Sequence, residues 1–294
     1  MAPKVSVVMA TYNRANVLAL ALQTVRWQSC ADWELIVVGD ACTDHTAEVV
    51  ERAHDPRIRF VNLAQNVGEQ SGPNNHGCAL ARGDYVAFLN HDDFWLPDHL
   101  AGALAHLEKT GADLVFSLVD VMEPDGRRRL QGRAWRGTYD PSLEALASSW
   151  VFRRELLARV GPWRGYRQCY AVPSQDWLFR AWRMRARLIA WPVVSVLAIQ
   201  SGSRKDSYRV PQEEEHRTCF ERLAADPEAF RAQELDLLAD ELARAPAPPA
   251  LWQRVAMKVG LYPAVVRQWL RLRLRRGTTI PRLRRIRGLP DLRP

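Results

Sequence analysis

Carboxylates that follow apolar strands are the most informative chemical feature of this chain. Asp40 closes one Val-rich run, Asp92 and Asp93 follow another in the run Asn90-His-Asp-Asp, and Asp176 lies further along. The carboxyl ends of parallel strands meet at one edge of a sheet, where such groups repel one another unless a cation or donor lies among them. A divalent cation held by one or two carboxylates and completed by phosphates meets this condition. The pattern therefore predicts a site for a nucleoside diphosphate.

Glycine-rich phosphate loops are absent from the sequence. It contains neither GxGxxG nor GxxxxGK[ST], so neither a dinucleotide-binding fold nor a P-loop is indicated. Without a glycine cradle for the phosphates, the need for a metal ion at the carboxylate site is greater.

The elements that must position these carboxylates alternate between strand and helix. The predicted strands are Val5–Ala10, Leu35–Val38, Ile58–Leu63, Tyr85–Leu89, Asp113–Val121 and Leu188–Ile199. The predicted helices are 15–28, Thr43–Ala53, Pro73–Arg82, Pro97–Lys109 and 174–187. This alternation is typical of an α/β protein with a parallel sheet. From about residue 122 to residue 175 the pattern is irregular.

Composition narrows the class of protein. The 294 residues are 47% apolar and 25% charged, which excludes a wholly disordered chain. No run approaches about 18 apolar residues, so we expect no transmembrane helix, and the short apolar run near the N-terminus does not indicate a signal peptide. The five cysteines show no CxxC spacing, which favours a reducing compartment.

Charge is concentrated at the C-terminal end. Residues 251–294 carry 12 basic side chains and one acid, so this segment has a charge of +11 and the rest of the chain −3. A helix beginning near Pro263 would place Arg267, Arg271 and Arg275 on one face, a pattern typical of a helix on an anionic membrane. The alternative is a helix packed back on the catalytic domain with a solvated charged face. Nucleic-acid binding is ranked last because no recognition module accompanies the charge.

Several sequence blocks resemble glycosyltransferase family 2 in order and spacing across residues 3–200. They are Lys4–Arg14, Glu34–Asp44, Asn66–Gly68, Asn75–Tyr85, Phe88–Asp93 with Pro97-Asp98, and Gln175–Trp177. The resemblance implies the GT-A (nucleotide-diphospho-sugar transferase) fold, an α/β fold with a mostly parallel central sheet flanked by helices. To this the sequence adds a helical, basic C-terminal extension.

The resemblance also implies roles on the nucleotide side of the site. Thr11 and Tyr12 match positions that hold the nucleoside, with Arg14 close enough to help. Asp40 matches the aspartate that reads the base edge, commonly N3–H of uracil. Asp92 matches the last aspartate of a DxD motif, which holds Mn²⁺ or Mg²⁺ on the diphosphate.

Further nucleotide contacts are assigned to Asn66, Gly68 and Asn90, with Asn90 standing where the family has the first aspartate of DxD. Asp176 matches the general base that deprotonates the acceptor hydroxyl in inverting transfer. No histidine after residue 195 supplies another metal ligand, and Arg204 is a candidate diphosphate contact instead.

Other polar residues have simpler structural interpretations. We expect Asp44 to cap a helix and Asp93 to make a local contact. His91 is interpreted as a solvent-facing loop residue, and His99 and His216 as surface or helix residues. Trp177 and Trp182 are expected in the core.

These observations predict an arrangement of segments along the chain. A GT-A domain spans 1–210, with a nucleotide-binding half at 1–122 and an acceptor-side half at 123–210. A helical extension follows at 211–245, and a Pro linker with the basic tail at 246–294.

The predicted activity is inverting, metal-dependent transfer from a nucleotide-diphosphate sugar, with a UDP-sugar favoured. The acceptor is a hydroxyl of a glycan or lipid-linked molecule, in cell-surface polysaccharide or lipopolysaccharide synthesis. We expect the protein to be cytoplasmic and peripheral on the membrane. A nucleotidyltransferase would carry a glycine-rich phosphate loop where this chain has Thr11–Arg14. The alternative from another class is a catalytically weak sugar-nucleotide-binding or membrane-docking module.

Overall fold

The computed structural model describes residues 2–134, 136–141, 143–169, 172–200, 204–210, 213–243 and 279–292. Nine strands are present in this part of the chain: β1 Val5–Thr11, β2 Trp33–Gly39, β3 Ile58–Asn62, β4 Tyr85–Phe88, β5 Asp93–Trp95, β6 Leu114–Met122, β7 Arg128–Gln131, β8 Trp150–Arg153 and β9 Leu188–Ile199. The α-helices are α1 Ala15–Arg26, α2 Thr46–Glu51, α3 Ser71–Leu80, α4 His99–Thr110, α5 Glu155–Val160, α6 Pro173–Arg183, α7 Glu214–Ala225, α8 Pro227–Ala243 and α9 Thr279–Ile286.

All nine strands belong to one sheet, in the order β3-β2-β1-β4-β8-β6-β9-β5 with β7 beside β6. Pairs among β1 to β4 are parallel, as the alternation of strands and helices predicts. Strand β8 then pairs antiparallel with both β4 and β6, which joins the second half of the sheet to the first. The carboxyl ends of β1, β2 and β4 consequently lie side by side.

Both faces of the sheet are covered, which explains the continuous apolar runs of its strands. Along β1, Val7 and Met9 belong to one core cluster and Val8 to the other. The first cluster contains buried side chains of α1, α4 and α7, including Leu18, Leu104 and Leu223. The second packs α3, α5 and α6 on the opposite face. Alternate residues of each strand therefore bury their side chains in different layers.

The irregular region after residue 122 contributes to the sheet, contrary to its sequence pattern. Strands β7 and β8 both lie in it, and each is only four residues long. Strand β5, three residues long, was also not predicted and pairs antiparallel with β9. Strands this short contain too few residues to show a periodicity, and β5 and β8 in addition pair with strands distant in sequence.

The described C-terminal elements pack on the catalytic body. In α8, Glu234 accepts a hydrogen bond from Nε of Arg128 at 2.7 Å, and the same Nε lies 3.4 Å from Asp120 on β6. Helix α9 lies near the carboxyl ends of the strands, as described below. The helix predicted from Pro263 falls outside the described residues. Of the helices that are described, none is both long and apolar enough to cross a membrane.

Candidate active site

The ends of β1 and β2 bring the first two predicted site residues together. Thr11 pairs with Gly39 in the parallel register, and the next amide along, that of Asp40, donates to the Thr11 carbonyl at 2.8 Å. Asn13 braces the same edge through its side chain, which accepts a hydrogen bond from the Thr43 amide at 2.8 Å. The loops after the two strands are thus held as one unit.

Asp40 anchors the loop that carries Asn66 and Gly68. Its two carboxylate oxygens accept the backbone N–H groups of Val67 and Gly68, each at 2.7 Å, and its carbonyl accepts Nδ2 of Asn66 at 2.7 Å. The residue is only 4% exposed. Burial raises the pKa of Asp40, while these two N–H groups and Arg284 act to lower it. The contacts establish a loop-holding role beside the base-reading role predicted from sequence.

Tyr12 and Arg14 face a loop from much later in the chain. Arg14, 3% exposed, donates to the Ser207 carbonyl at 3.2 Å, and its guanidinium lies 5.2 Å from the centre of the Tyr208 ring. The Tyr208 ring also stacks on Tyr12 at 6.3 Å between centroids. The loop that contains Ser207 and Tyr208 therefore covers the end of β1.

Asp92 follows β4 in a strongly polar environment. His91 contacts the Ala10 carbonyl through Nδ1 at 3.1 Å and places Nε2 3.9 Å from the Asp92 carboxylate, while Nε2 of His216 lies 3.1 Å from the Asp92 carbonyl. Burial raises the pKa of Asp92, but the charges of His91, Arg14, His216 and Arg287 act against burial, and the net direction is downward. The net direction favours the ionised form of Asp92, and the permanent positive charges that act on it are those of Arg14 and Arg287.

Asn90 and Asp93 form a buried brace beside Asp92. Nδ2 of Asn90 donates to Oδ2 of Asp93 at 2.8 Å, and the Ser148 hydroxyl donates to the same oxygen. Burial, followed by the charge of Asp92, raises the pKa of Asp93 to about 8. The local role predicted for Asp93 is confirmed. The nucleotide contact predicted for Asn90 stays a prediction, since its amide nitrogen is engaged by Asp93.

The divalent cation implied by the resemblance would meet one available carboxylate here, that of Asp92. Asp93 is turned into its contacts with Asn90 and Ser148. Among the residues that the structure describes, no three Asp, Glu, His or Cys side chains form a metal-binding group. The arrangement fits a cation that takes Asp92 from the protein and its remaining ligands from phosphates and water.

Asp176 lies in the first turn of α6, in a separate group of contacts. Its Oδ2 accepts Nε of Arg180 at 2.9 Å, and its Oδ1 lies 4.0 Å from Nη1 of Arg164. Arg180 is itself fixed by the carbonyls of Val160 and Pro162. This set of contacts orients the Asp176 carboxylate, which is 11% exposed.

Glu69 interacts electrostatically with Asp40 and with the Cys169 thiol, on which Asp176 also acts, and it was not identified from the sequence. It directly follows Gly68 and bonds to Ser71, and burial raises its pKa, with the charge of Asp40 acting in the same direction. Glu69 and Asp176 both act on the buried thiol of Cys169 and raise its pKa to about 12, after the larger effect of burial. The position of Glu69 directly after the Asn66–Gly68 block is the sequence signal that could have identified this residue.

Several structural interpretations of single residues need correction. His91 does not face solvent, since its side chain is only 12% exposed. His99 and His216 lie in α4 and α7, as the helix alternative predicts, but they are fully buried rather than on the surface, and burial lowers their pKa values to about 3 and about 4. Trp182 is exposed rather than in the core, whereas Trp177 is buried as predicted.

Arg204 pairs with Glu215 and the Pro124 carbonyl, and its contact with the diphosphate stays a prediction. Asp44 does cap, as predicted, by accepting the amides of Ala15 and Thr46 at the starts of α1 and α2.

The curled, mostly parallel sheet flanked by helices is that of the GT-A fold. Solved structures agree with the fold: S. aureus TarS in complex with UDP-GlcNAc superposes with a TM-score of 0.58 at 19% identity, covering 92% of this chain and 79% of that one. The mannosyltransferase PcManGT from Pyrobaculum calidifontis, in complex with GDP-Man and Mn²⁺, gives 0.56 at 18% identity, covering 97% and 87%. Residues 6–167 match the model of glycosyl transferase family 2, and the chain belongs to that family.

Curated relatives cover the same region. The succinoglycan biosynthesis protein ExoO of Rhizobium meliloti is 34% identical over 125 residues, which is 42% of this chain and 36% of the relative. The putative teichuronic acid biosynthesis glycosyltransferase TuaG of Bacillus subtilis is 33% identical over 126 residues, 42% of this chain and 50% of the relative. The matches therefore span half or less of these relatives' own length. Both of these relatives are named for the biosynthesis of a polysaccharide.

Proposed function

We propose that this glycosyltransferase moves a sugar from a nucleotide-diphosphate donor, with uridine favoured, to a hydroxyl of a glycan or lipid-linked acceptor, with inversion. The observation that carries the proposal is the meeting of Thr11, Arg14, Asp40 and Asp92 at one edge of the sheet. Support comes from the solved neighbours, which are complexes with UDP-GlcNAc and with GDP-Man. The names of the curated relatives support a role in building a surface polysaccharide.

On the donor side, Asp92 is proposed to hold a divalent cation, Mn²⁺ or Mg²⁺, through its ionised carboxylate. Such a cation, when bound, neutralises charge that develops on the leaving diphosphate. Arg14 adds positive charge from the protein itself, and Thr11, Tyr12 and the Asn66–Gly68 loop form the wall for the nucleoside. Asp40 keeps that loop in place and is proposed to face the base edge.

On the acceptor side, Asp176 is proposed as the general base. Its Oδ2 is already engaged by Arg180, so Oδ1 is the oxygen assigned to the proton of the attacking hydroxyl. The contacts of Arg180 fix the carboxylate before the acceptor arrives, which favours catalysis by positioning. Asn at this position would keep the shape and an oxygen but could not take the proton.

Calorimetric titration of UDP, GDP and dTDP, with and without Mn²⁺, tests the donor site. We expect one nucleotide to bind in a metal-dependent way and Asp92→Ala to remove the metal dependence. Asp125→Ala, at an exposed turn, is the matched control. Asp176→Asn should abolish transfer with a nearly unchanged nucleotide affinity, because a general base acts in the transition state. Absence of nucleotide binding under all conditions would favour the docking-module alternative.

We also propose peripheral attachment to the cytoplasmic face of a membrane through the basic segment 251–294. Support comes from its charge of +11 and from the exposed Arg282 and Arg285 on α9. Each basic residue near an anionic surface contributes about 1 kcal/mol. Sedimentation with anionic and neutral vesicles tests this attachment, and equal binding to both kinds of vesicle would contradict it.

A further inference from the structure

The C-terminal residues 279–292 lie against the loop 204–210, and the two form one layer. The amide of Asp206 donates to the Ile286 carbonyl at 2.8 Å, and the amide of Tyr208 donates to the Arg287 carbonyl at 3.1 Å. Nε of Arg209 adds a hydrogen bond to the Gly288 carbonyl at 3.1 Å. We call residues 279–292 the C-terminal strap.

This strap covers the loop that Asp40 holds. Arg284 of α9 is 6% exposed, and its Nη1 donates to the Gly68 carbonyl at 2.7 Å. Leu292 packs over the same glycine so closely that a Cβ atom at Gly68 would lie 1.9 Å from its Cδ2 atom. Together with Tyr208, which stacks on Tyr12, the strap and its loop close the donor side of the site.

Four buried polar atoms at this place have no hydrogen-bond partner within the described part of the chain. They are Oγ1 of Thr11, Nε2 of His91, Nδ1 of His216 and Nε of Arg287. The other ring nitrogens of the two histidines contact backbone carbonyls at the site. Nδ1 of His91 contacts the Ala10 carbonyl, and Nε2 of His216 contacts the Asp92 carbonyl. Buried polar groups in native proteins are nearly always paired, so a cluster of unpaired ones indicates a missing polar ligand.

The charge of the cluster indicates an anion. The guanidinium charges of Arg14 and Arg287 both act at Asp92, and Arg284 donates to the Gly68 carbonyl in the loop that Asp40 holds. A guanidinium group offers donors in a planar fork that matches a phosphate, and a second arginine allows two phosphates to be held. Arg204, the other candidate, is committed to Glu215.

We propose that the C-terminal strap is a wall of the donor site and that Arg287 donates hydrogen bonds to the diphosphate of the nucleotide. This assignment rests on the proposed function, and it places a donor-binding residue 120 positions beyond the end of the family region at residue 167.

The test compares UDP, UMP, uridine and inorganic pyrophosphate by calorimetry on the full chain. In Arg287→Ala we expect UDP and pyrophosphate to bind about tenfold more weakly or worse, UMP to be affected less, and uridine to be unchanged. Arg287→Lys keeps the positive charge but lacks the planar fork of donors. Its affinity for UDP should therefore lie between those of the wild type and Arg287→Ala. Arg285→Ala, at an exposed arginine two residues earlier in the strap, is the matched control and should change each affinity by less than about twofold.

Each contrary outcome has a distinct meaning. If Arg287→Ala weakens the binding of UDP and uridine equally, Arg287 has a structural role only. If UDP binding is unchanged or tighter, the strap covers the site without contacting the nucleotide. Either result overturns the assignment. If the wild type binds pyrophosphate in an Arg287-dependent way but no nucleotide, the proposed function fails while the anion site stands. A melting temperature close to that of the wild type confirms that Arg287→Ala is folded.

Discussion

Asp40→Asn tests whether one carboxylate holds the donor loop. In the wild type the two oxygens accept two backbone N–H groups at 2.7 Å, those of Val67 and Gly68. Asparagine offers one oxygen and one NH₂ group, so one of the two N–H groups would face another donor. A hydrogen bond to a charged group contributes about 1.5–3 kcal/mol, and a buried donor left unpaired costs about 1–3 kcal/mol.

We therefore expect Asp40→Asn to lower the free energy of unfolding by about 2–3 kcal/mol. For a chain of this size the loss corresponds to a fall of about 4–12 °C in the melting temperature. Urea denaturation followed by circular dichroism measures the loss directly. The slope of the free energy against urea should stay the same, because the surface exposed on unfolding does not change.

Asp32→Asn is the matched control, since Asp32 is an exposed aspartate just before β2. A substitution of this kind at the surface changes the free energy of unfolding by at most about 0.5 kcal/mol. If Asp40→Asn also stays within that range, the carboxylate does not hold the loop. The reasoning about Val67 and Gly68 would then be refuted, whatever the effect on nucleotide binding.

Two further predictions concern stability. Burial raises the pKa of Asp120 to about 8, from an unfolded value near 3.9, despite Arg128. The native state then holds a proton that the unfolded state lacks, so stability falls as pH rises from about 4 to about 8. Asp120→Asn should remove this part of the slope when the free energy of unfolding is compared at pH 5 and pH 8, and an unchanged slope would contradict it. Ala41 has a φ of +58°, which is a left-handed conformation that glycine adopts more easily than alanine. Ala41→Gly should therefore raise the free energy of unfolding by up to about 1 kcal/mol. A lower urea midpoint for this variant would contradict backbone strain at Ala41.

All six strands predicted from the sequence, which are β1 to β4, β6 and β9, match the observed bounds to within two residues. The predicted bounds of β1, β2 and β4 differ from the observed ones by at most two residues, because an unbroken apolar run needs no information about its partner. Strand β7 is short and polar and forms a hairpin with β6, whereas β8 is short and apolar and pairs with β4 and β6, which lie much earlier in the sequence. Their positions depend on a partner, so periodicity within 122–175 could not indicate them.

The buried histidines show that the burial of a side chain is likewise hard to predict from sequence. His99 appeared to be one polar residue near a helix start, but it packs on Trp95 at 4.5 Å and contacts the Ser195 hydroxyl on β9 at 2.8 Å. His216 similarly contacts the Asp92 carbonyl, 124 residues away. A single sequence shows the residue type and spacing but not the distant partner that makes burial of an imidazole possible.

The basic tail is the most instructive case, because its sequence allowed two interpretations and the described part supports the second. On α9 and just beyond it, Arg284 and Arg287 lie three positions apart and turn towards the site, while Arg282 and Arg285 stay exposed. Residues three apart share a helix face, so one basic segment can present charge to solvent and to the site together. The inward face depends on the Gly68 carbonyl, 216 residues earlier. A family match that ends at residue 167 covers the strand ends but neither Tyr208 nor Arg284. Differences in donor binding among relatives are therefore expected to arise beyond the family region.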